Sequence, residues 1–160
     1  MTLFLLNLLL ALAWAALIGS FEPVNLLFGF LLGYLVLGMS EQTITSGQGR
    51  YIRKSILAVQ LAGIFILDLL KANLRLVATV LSPRMNLKPA VVAVPLDLET
   101  PVAITLLCNL ITLTPGTLGL DVSNDRKILF VHVFHLDDGG KFRQELKNGY
   151  ERRIKELMEA

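Results

Sequence analysis

His132 and His135 are the chain's two histidines and stand three residues apart in a β-rich stretch. Side chains alternate faces along a strand, so this spacing sends the two imidazoles to opposite sides, where they cannot share a metal without distortion. One inward and one outward histidine is expected. Asp137 and Asp138 precede Gly139-Gly140, and short carboxylates beside glycines read as turn residues rather than as an acid–base pair. Asp121 reads as a hydrogen-bond anchor for the turn before it, in preference to an exposed strand residue. The sequence has no G-x-S-x-G, no P-loop, no G-x-G-x-x-G and no Cys/His pair at metal-ligand spacing. Cys108 is the single cysteine, so no intrachain disulfide can form. The expectation is a protein with no catalytic residue, no cofactor and no metal.

Two other groups remain. Asp68, Lys71, Arg75 and Thr79 recur at intervals of three and four in a mainly apolar stretch. That spacing puts them on one face of a helix and lets Asp68 pair with Lys71. The second group is Asn109-Leu110-Ile111-Thr112-Leu113-Thr114-Pro115-Gly116-Thr117. Pro115 biases Thr114 away from helical backbone, Gly116 can supply a positive φ, and several hydroxyls crowd a sharp helix-to-strand corner. Taken alone, the corner is a structural turn whose side chains satisfy their own backbone. Nothing in it titrates near neutral pH, so it cannot relay protons by itself.

The elements that position these residues are not those of an ordinary soluble domain. Of 160 residues, 54% are hydrophobic and 18% charged, against roughly 45–50% apolar in a typical soluble protein. Glu22 and Glu41 are the only charged side chains before Arg50, whereas residues 84–160 carry ten basic and ten acidic ones. Something other than water therefore solvates the first third, and the last half has a normal soluble surface. A net charge of +2, without a basic stripe interleaved with aromatics, argues against a nucleic-acid partner.

Residues 3–18 and 24–39 are the two apolar runs, broken by Gly19-Ser20-Phe21-Glu22-Pro23. Pro23 suits the first turn of a second helix. Crossing a ~30 Å hydrocarbon core takes about 20 helical residues, so both runs are slightly short and read as a tight hairpin whose turn sits in the interface. A missing basic n-region and the immediate second run argue against a signal peptide. Gly29 and Gly33 form a G-x-x-x-G, and Ala11 and Ala15 are also four apart. Small residues at that spacing let helices approach closely in lipid, either each other or a partner's. The turn has no basic residue, while Arg50, Arg53 and Lys54 follow the second helix. The positive-inside rule then puts the N-terminus, and everything from residue 40 onward, in the cytoplasm.

Residues 55–81 are open to two readings. Basic residues flank them on both sides: Arg50, Arg53 and Lys54 before, Arg84 and Lys88 after. That favours an amphipathic helix lying on the cytoplasmic surface. The other reading is a third spanning helix, in which Asp68 and Lys71 would be intramembrane charges and ion-path candidates.

Beyond residue 84 the order reads β-α-β-β-α. Residues 89–96 are a strand with prolines at its ends. Thr100 caps a helix that starts at Pro101 and runs to Thr112; it is apolar nearly all round and so expected to be buried on several sides. Residues 117–123 and 127–136 form a hairpin through Asn124-Asp125-Arg126. Residues 137–140 make a second turn, and residues 141–158 an amphipathic helix with Phe142, Leu146, Tyr150, Ile154 and Leu157 as its stripe. The expected fold class is a membrane α-helical hairpin (1–40) plus an amphipathic or third membrane helix (50–82), followed by a small α+β cytoplasmic domain (84–160).

The corner run, followed by Thr117-Leu118-Gly119-Leu120-Asp121-Val122 and by the strand holding Val131-His132, resembles the E subunit of multisubunit Mrp-type Na+/H+ antiporters. The resemblance covers the whole chain, and Leu113-Thr114-Pro115-Gly116-Thr117 is its most specific part. Leu110 departs from it, standing where that family often has a small hydroxyl residue. The resemblance implies a multi-pass protein of the bacterial cell membrane, in a complex that exchanges cytoplasmic Na+ for external H+ through its larger subunits. This chain would be an accessory subunit, with the other subunits and the lipid bilayer as partners. Asn109, Thr112, Thr114, Pro115, Gly116, Thr117 and Asp121 are then expected to serve assembly. The alternative class is a membrane-anchored cytoplasmic binding module.

Overall fold

The computed structural model describes residues 2–44, 50–83 and 87–160; Arg84, one of the basic flanking residues, lies outside them. The chain divides into two units, Met1–Ile56 and Leu57–Ala160.

In the first unit, α1 (Thr2–Ile18) and α2 (Pro23–Ile44) form a hairpin, joined by the beginning of α3 (Arg50–Leu81). Gly19 ends α1 at φ 73°, and the N–H groups of Gly19 and Ser20 donate back to Ala16 and Ala15. Pro23 opens α2, where its missing N–H costs nothing. The G-x-x-x-G is used inside the chain. A Cβ at Gly29 would lie 2.9 Å from Trp14 Cβ and 3.1 Å from Ala11 Cα, and one at Gly33 would collide with Asn7 Oδ1. Ala11 and Ala15 are buried in the same seam. Asn7 is fully buried too, and its Nδ2 donates to Tyr51 Oη at 3.3 Å. The ring of Tyr51 in turn packs against Tyr34, centroid to centroid 5.2 Å. The outer faces stay apolar and exposed, with Phe4, Leu9, Leu12, Leu27, Leu31 and Leu35 among them.

The second unit holds a three-stranded antiparallel sheet in the order β1-β3-β2, made of β1 (Ala90–Pro95), β2 (Thr117–Val122) and β3 (Ile128–Val133). Val92 and Gly119 both pair with Val131, and a bulge interrupts β2 between Gly119 and Asp121. Helix α4 (Pro101–Leu113) connects β1 to β2, and α5 (Gly139–Leu146), a π-turn (Lys147–Glu151) and α6 (Arg152–Glu159) follow β3. The core joins Val92 and Val94 of β1, Leu129 and Val131 of β3, Leu107 of α4, Ile154 of α6 and Leu61 of α3.

Three details depart from the sequence reading. Strand β3 ends at Val133 and not at Leu136, because Phe134 and Leu136 donate their N–H groups outside the ladder, to Gly116 O at 2.8 Å and Lys88 O at 2.9 Å. His135 therefore lies past the strand, beside Asp137 at 3.3 Å, and the two-face argument does not govern it. Asp138 is a helix cap, not a turn residue: its Oδ1 accepts from Gly140 N at 2.7 Å and Lys141 N at 3.2 Å, so both glycines are helical. The last helix contains a π-turn. From Phe142 to Ile154 its stripe advances in steps of four, each of which overshoots a turn of ~3.6 residues; the wider π-turn takes back part of that drift. Helix α4 buries Ala103, Ile104, Leu107 and Ile111 and leaves Val102 and Leu113 68% and 62% exposed.

The seam between α1 and α2 is tight enough to test. Gly33→Val forces a side chain onto Asn7, and overpacking of this kind costs about 1–3 kcal/mol. The full-length chain in detergent should unfold at a lower temperature. Asn7→Ala in the same chain opens space and should return part of the loss; strict additivity in that double-mutant cycle contradicts the contact.

Candidate assembly site

Helix α4 starts and ends on side-chain hydrogen bonds. Thr100 Oγ1 accepts from Ala103 N at 3.3 Å, with Pro101 at the first helical position. At the other end Thr114 leaves the helix at φ −84°, ψ 119°, the extended conformation that a following proline enforces. Thr114 Oγ1 donates to Leu110 O at 2.9 Å, and Thr117 Oγ1 donates to Ile111 O at 2.7 Å. Thr114 N reaches Ile111 O at 3.1 Å. The corner's hydroxyls thus satisfy carbonyls that the helix leaves without partners. Gly116 sits at φ 92°, a region that side-chain-bearing residues rarely adopt.

The corner then clamps β2 to α4. Thr112 Oγ1 accepts from Gly119 N at 3.1 Å, and a Cβ at Gly119 would collide with Cys108 Sγ. Asn109 is exposed on α4. Asp121 is also exposed, and its Oδ1 accepts from the next residue's N–H, Val122, at 2.8 Å. It anchors the bulge of its own strand and not the turn before it.

The two groups found separately in the sequence meet here. A cleft of about 1080 Å³ is lined on one side by Asp68, Lys71 and Arg75 of α3 and on the other by residues 114–117 and Tyr150. Tyr150 Oη donates to Asp68 Oδ2 at 3.0 Å, and Lys71 Nζ lies 3.9 Å from Asp68 Oδ1. Burial pushes the Tyr150 phenol up from its ordinary value of 10.0, the bond to Asp68 and its charge push it further, and the Thr114 hydroxyl acts the other way. In the sequence Tyr150 is legible only as a member of the apolar stripe. A half-buried tyrosine in such a stripe needs a partner for its hydroxyl, and that is the signal that points to Asp68.

Glu151, the next residue, turns to the other side of the π-turn. It is 2% exposed, and its Oε1 accepts from Asp97 N at 2.5 Å. Burial raises its carboxyl above the usual 4.5. Lys147 Nζ lies 2.8 Å from Asp97 Oδ2, which holds the ammonium up. Among the described residues no three His, Cys, Asp or Glu side chains converge on a metal position. The site offers shape, hydroxyls and one carboxylate, hydrogen-bonded by Tyr150 on one oxygen and 3.9 Å from Lys71 on the other.

The Asp68–Tyr150 bond makes two measurable claims. Tyr150→Phe should lower stability by roughly 1–3 kcal/mol, the range for a hydrogen bond to a charged group. In a spectrophotometric titration of the full chain, Asp68→Asn should bring the Tyr150 phenol down toward the ordinary range, because it removes the charge that opposes ionisation. An unchanged titration would contradict the contact.

The family model described as Na+/H+ ion antiporter subunit, MNHE, matches residues 7–157. The E subunit of the Na(+)/H(+) antiporter of Alkalihalophilus pseudofirmus is 34% identical over 153 residues, 96% of each chain. Its counterpart of the same name in Bacillus subtilis is 37% identical over 153 residues, again 96% of each. In fold, the chain is similar to one from the membrane-bound sulfane sulfur reductase, an archaeal respiratory membrane complex, with a TM-score of 0.60 at 22% identity over 98% of this chain and 99% of that one. With a family match across nearly its whole length, and relatives above 30% identity over the same span, the chain belongs to the Na+/H+ ion antiporter subunit family.

Proposed function

We propose that the chain is an accessory membrane subunit of a multisubunit Na+/H+ antiporter, required for assembly and activity of the complex and not itself an ion carrier. The observation that carries the reading is the match over residues 7–157 to the antiporter-subunit family. The site chemistry supports it. Asp68 is hydrogen-bonded to Tyr150 and paired with Lys71, and Glu151 is bonded to the β1–α4 loop. Apolar surface, by contrast, is left uncovered on both units: the outer faces of α1 and α2, Val102 at the start of α4, and Leu113, Leu118 and Leu120 around the corner. Lipid covers the first and neighbouring subunits cover the second.

In this reading residues 1–40 are a membrane hairpin, 50–82 a helix at the membrane, and 84–160 a cytoplasmic domain. Residues Tyr51–Leu81 are long and apolar enough to cross a membrane. Their packing favours the surface instead. Leu61 joins the core that holds Ile154, and Arg152, Arg153 and Glu156 of α6 share a groove with residues 57–67. Charges at that depth of a bilayer are costly. A helix lying flat would instead present Ile66, Leu70, Leu74 and Val77, all exposed, to the acyl chains.

Both parts can be tested in membranes. Expressed without other subunits, the chain should give vesicles no antiport. Within the complex, Pro115→Ala should let α4 run on past Leu113, and Gly116→Val should add strain of about 1–3 kcal/mol. Complex abundance should fall for both, with antiport falling in proportion; normal abundance with lost exchange would show a direct part in transport. For the topology, reporters fused at Ala160 and inserted within residues 47–49 should face the same side. Opposite sides would mean that α3 spans, and would return Asp68 and Lys71 to the ion-path candidates.

A further inference from the structure

A second groove, of about 680 Å³, runs between α3 and α6. Leu57, Ile64 and Leu67 give it an apolar wall, and Arg152, Arg153 and Glu156 stand opposite. At Gly63, on the same wall, an added Cβ would meet nothing within 4 Å. Arg153 is held in place by its own helix: one guanidinium nitrogen donates to Gly149 O at 2.7 Å and Asn148 O at 3.3 Å. A guanidinium has five N–H donors, so several remain for an anion. Arg152 lies 3.6 Å from Glu156, with both side chains largely in solvent, and such exposed pairs are weak and exchangeable. The groove therefore combines a mainly aliphatic wall, interrupted by the amide of Gln60, with two guanidinium groups against one carboxylate.

That combination fits one molecule better than its competitors. A free phosphate would use the arginines and leave the wall bare, whereas an uncharged acyl chain would use the wall and ignore the arginines. A phospholipid with a net negative headgroup uses both, since guanidinium matches phosphate in charge and geometry. We infer that the α3–α6 groove holds one anionic phospholipid, its phosphate at Arg152 and Arg153 and its acyl chain along Leu57, Ile64 and Leu67. The inference rests on the membrane-surface reading of α3 given above. The lipid would fill space that the protein leaves open and fasten the domain to the leaflet.

The test uses the purified full-length chain in nonionic detergent. Lipid retention is read by native mass spectrometry, and flotation with vesicles is run in parallel. One phosphatidylglycerol per chain should be retained, about tenfold more tightly than phosphatidylcholine, and inorganic phosphate should not displace it. Arg152→Gln should weaken retention by about tenfold. Gly63→Phe should fill the groove and weaken it similarly, with an unchanged melting temperature. Equal retention of the two lipids, parental retention by both variants, or displacement by inorganic phosphate would overturn the lipid site while the chain still floats with neutral vesicles. A chain that floats with no vesicle overturns the membrane reading and the inference together.

Discussion

Helix α4 has to stop where most neighbouring side chains are apolar, and its last carbonyls have to find donors there. A helix leaves four such carbonyls, and each one buried without a partner costs about 1–3 kcal/mol. Leu107 and Ile111 close the inner side of this seam, while Thr112, Leu113 and Gly116 are exposed on the outer side. The chain meets this with its own next few residues. Thr114 and Thr117 turn their hydroxyls back onto Leu110 O and Ile111 O, Pro115 keeps Thr114 from continuing the helix, and Gly116 takes the positive φ that reverses direction. Strand β2 then begins at once, close enough to α4 that position 119 has no room for a Cβ. The sheet, the early end of β3 at the Gly116 carbonyl and the wall of the cleft all follow from this corner.

The hairpin meets a related demand by a different route. Helices α1 and α2 leave their outer apolar faces exposed and meet through shape and hydrogen bonding. Gly29 and Gly33 bring α2 against α1, and the space at Gly33 is filled by the side chain of Asn7. Asn7 reaches the start of α3 through Tyr51. In both units, then, a glycine permits an approach and a neighbouring polar side chain uses it: Asn7 beside Gly33, Thr112 on Gly119 N.

What is legible in the sequence is encoded within a few residues. Pro23, the Thr100-Pro101 cap and the Asn124–Arg126 turn each announce themselves locally, and each is present; Arg126 even takes a φ of 59°. The three strands follow from β-rich stretches between such signals. What is not legible depends on partners far along the chain. Asp68 and Tyr150 are 82 residues apart, and the end of β3 is decided by the Gly116 and Lys88 carbonyls. Gly139-Gly140 misleads for another reason: glycine usually breaks a helix, and only the side chain of Asp138 bonding to Gly140 N and Lys141 N lets one begin there. Glu151 looks like any surface glutamate until the π-turn rotates it onto Asp97.

The balance between polar and apolar groups says how the molecule works. A subunit that moved ions would need acidic or basic groups poised between alternatives, with access to water on two sides. Here Asp68 is hydrogen-bonded to Tyr150 with Lys71 3.9 Å away, Lys147 is paired with Asp97, and Glu151 is bonded to the β1–α4 loop through one oxygen only, its buried Oε2 having no partner among the described residues. Among the described residues, exposed apolar surface remains on α1, α2, α4 and β2. Exposed apolar patches of this extent mark contact with lipid or protein. External demand for apolar cover, with several of these charges engaged inside the fold, fits an accessory subunit that docks against others. The corner at Thr114–Thr117 fixes the angle between α4 and β2, and with it the set of apolar side chains that those two elements expose.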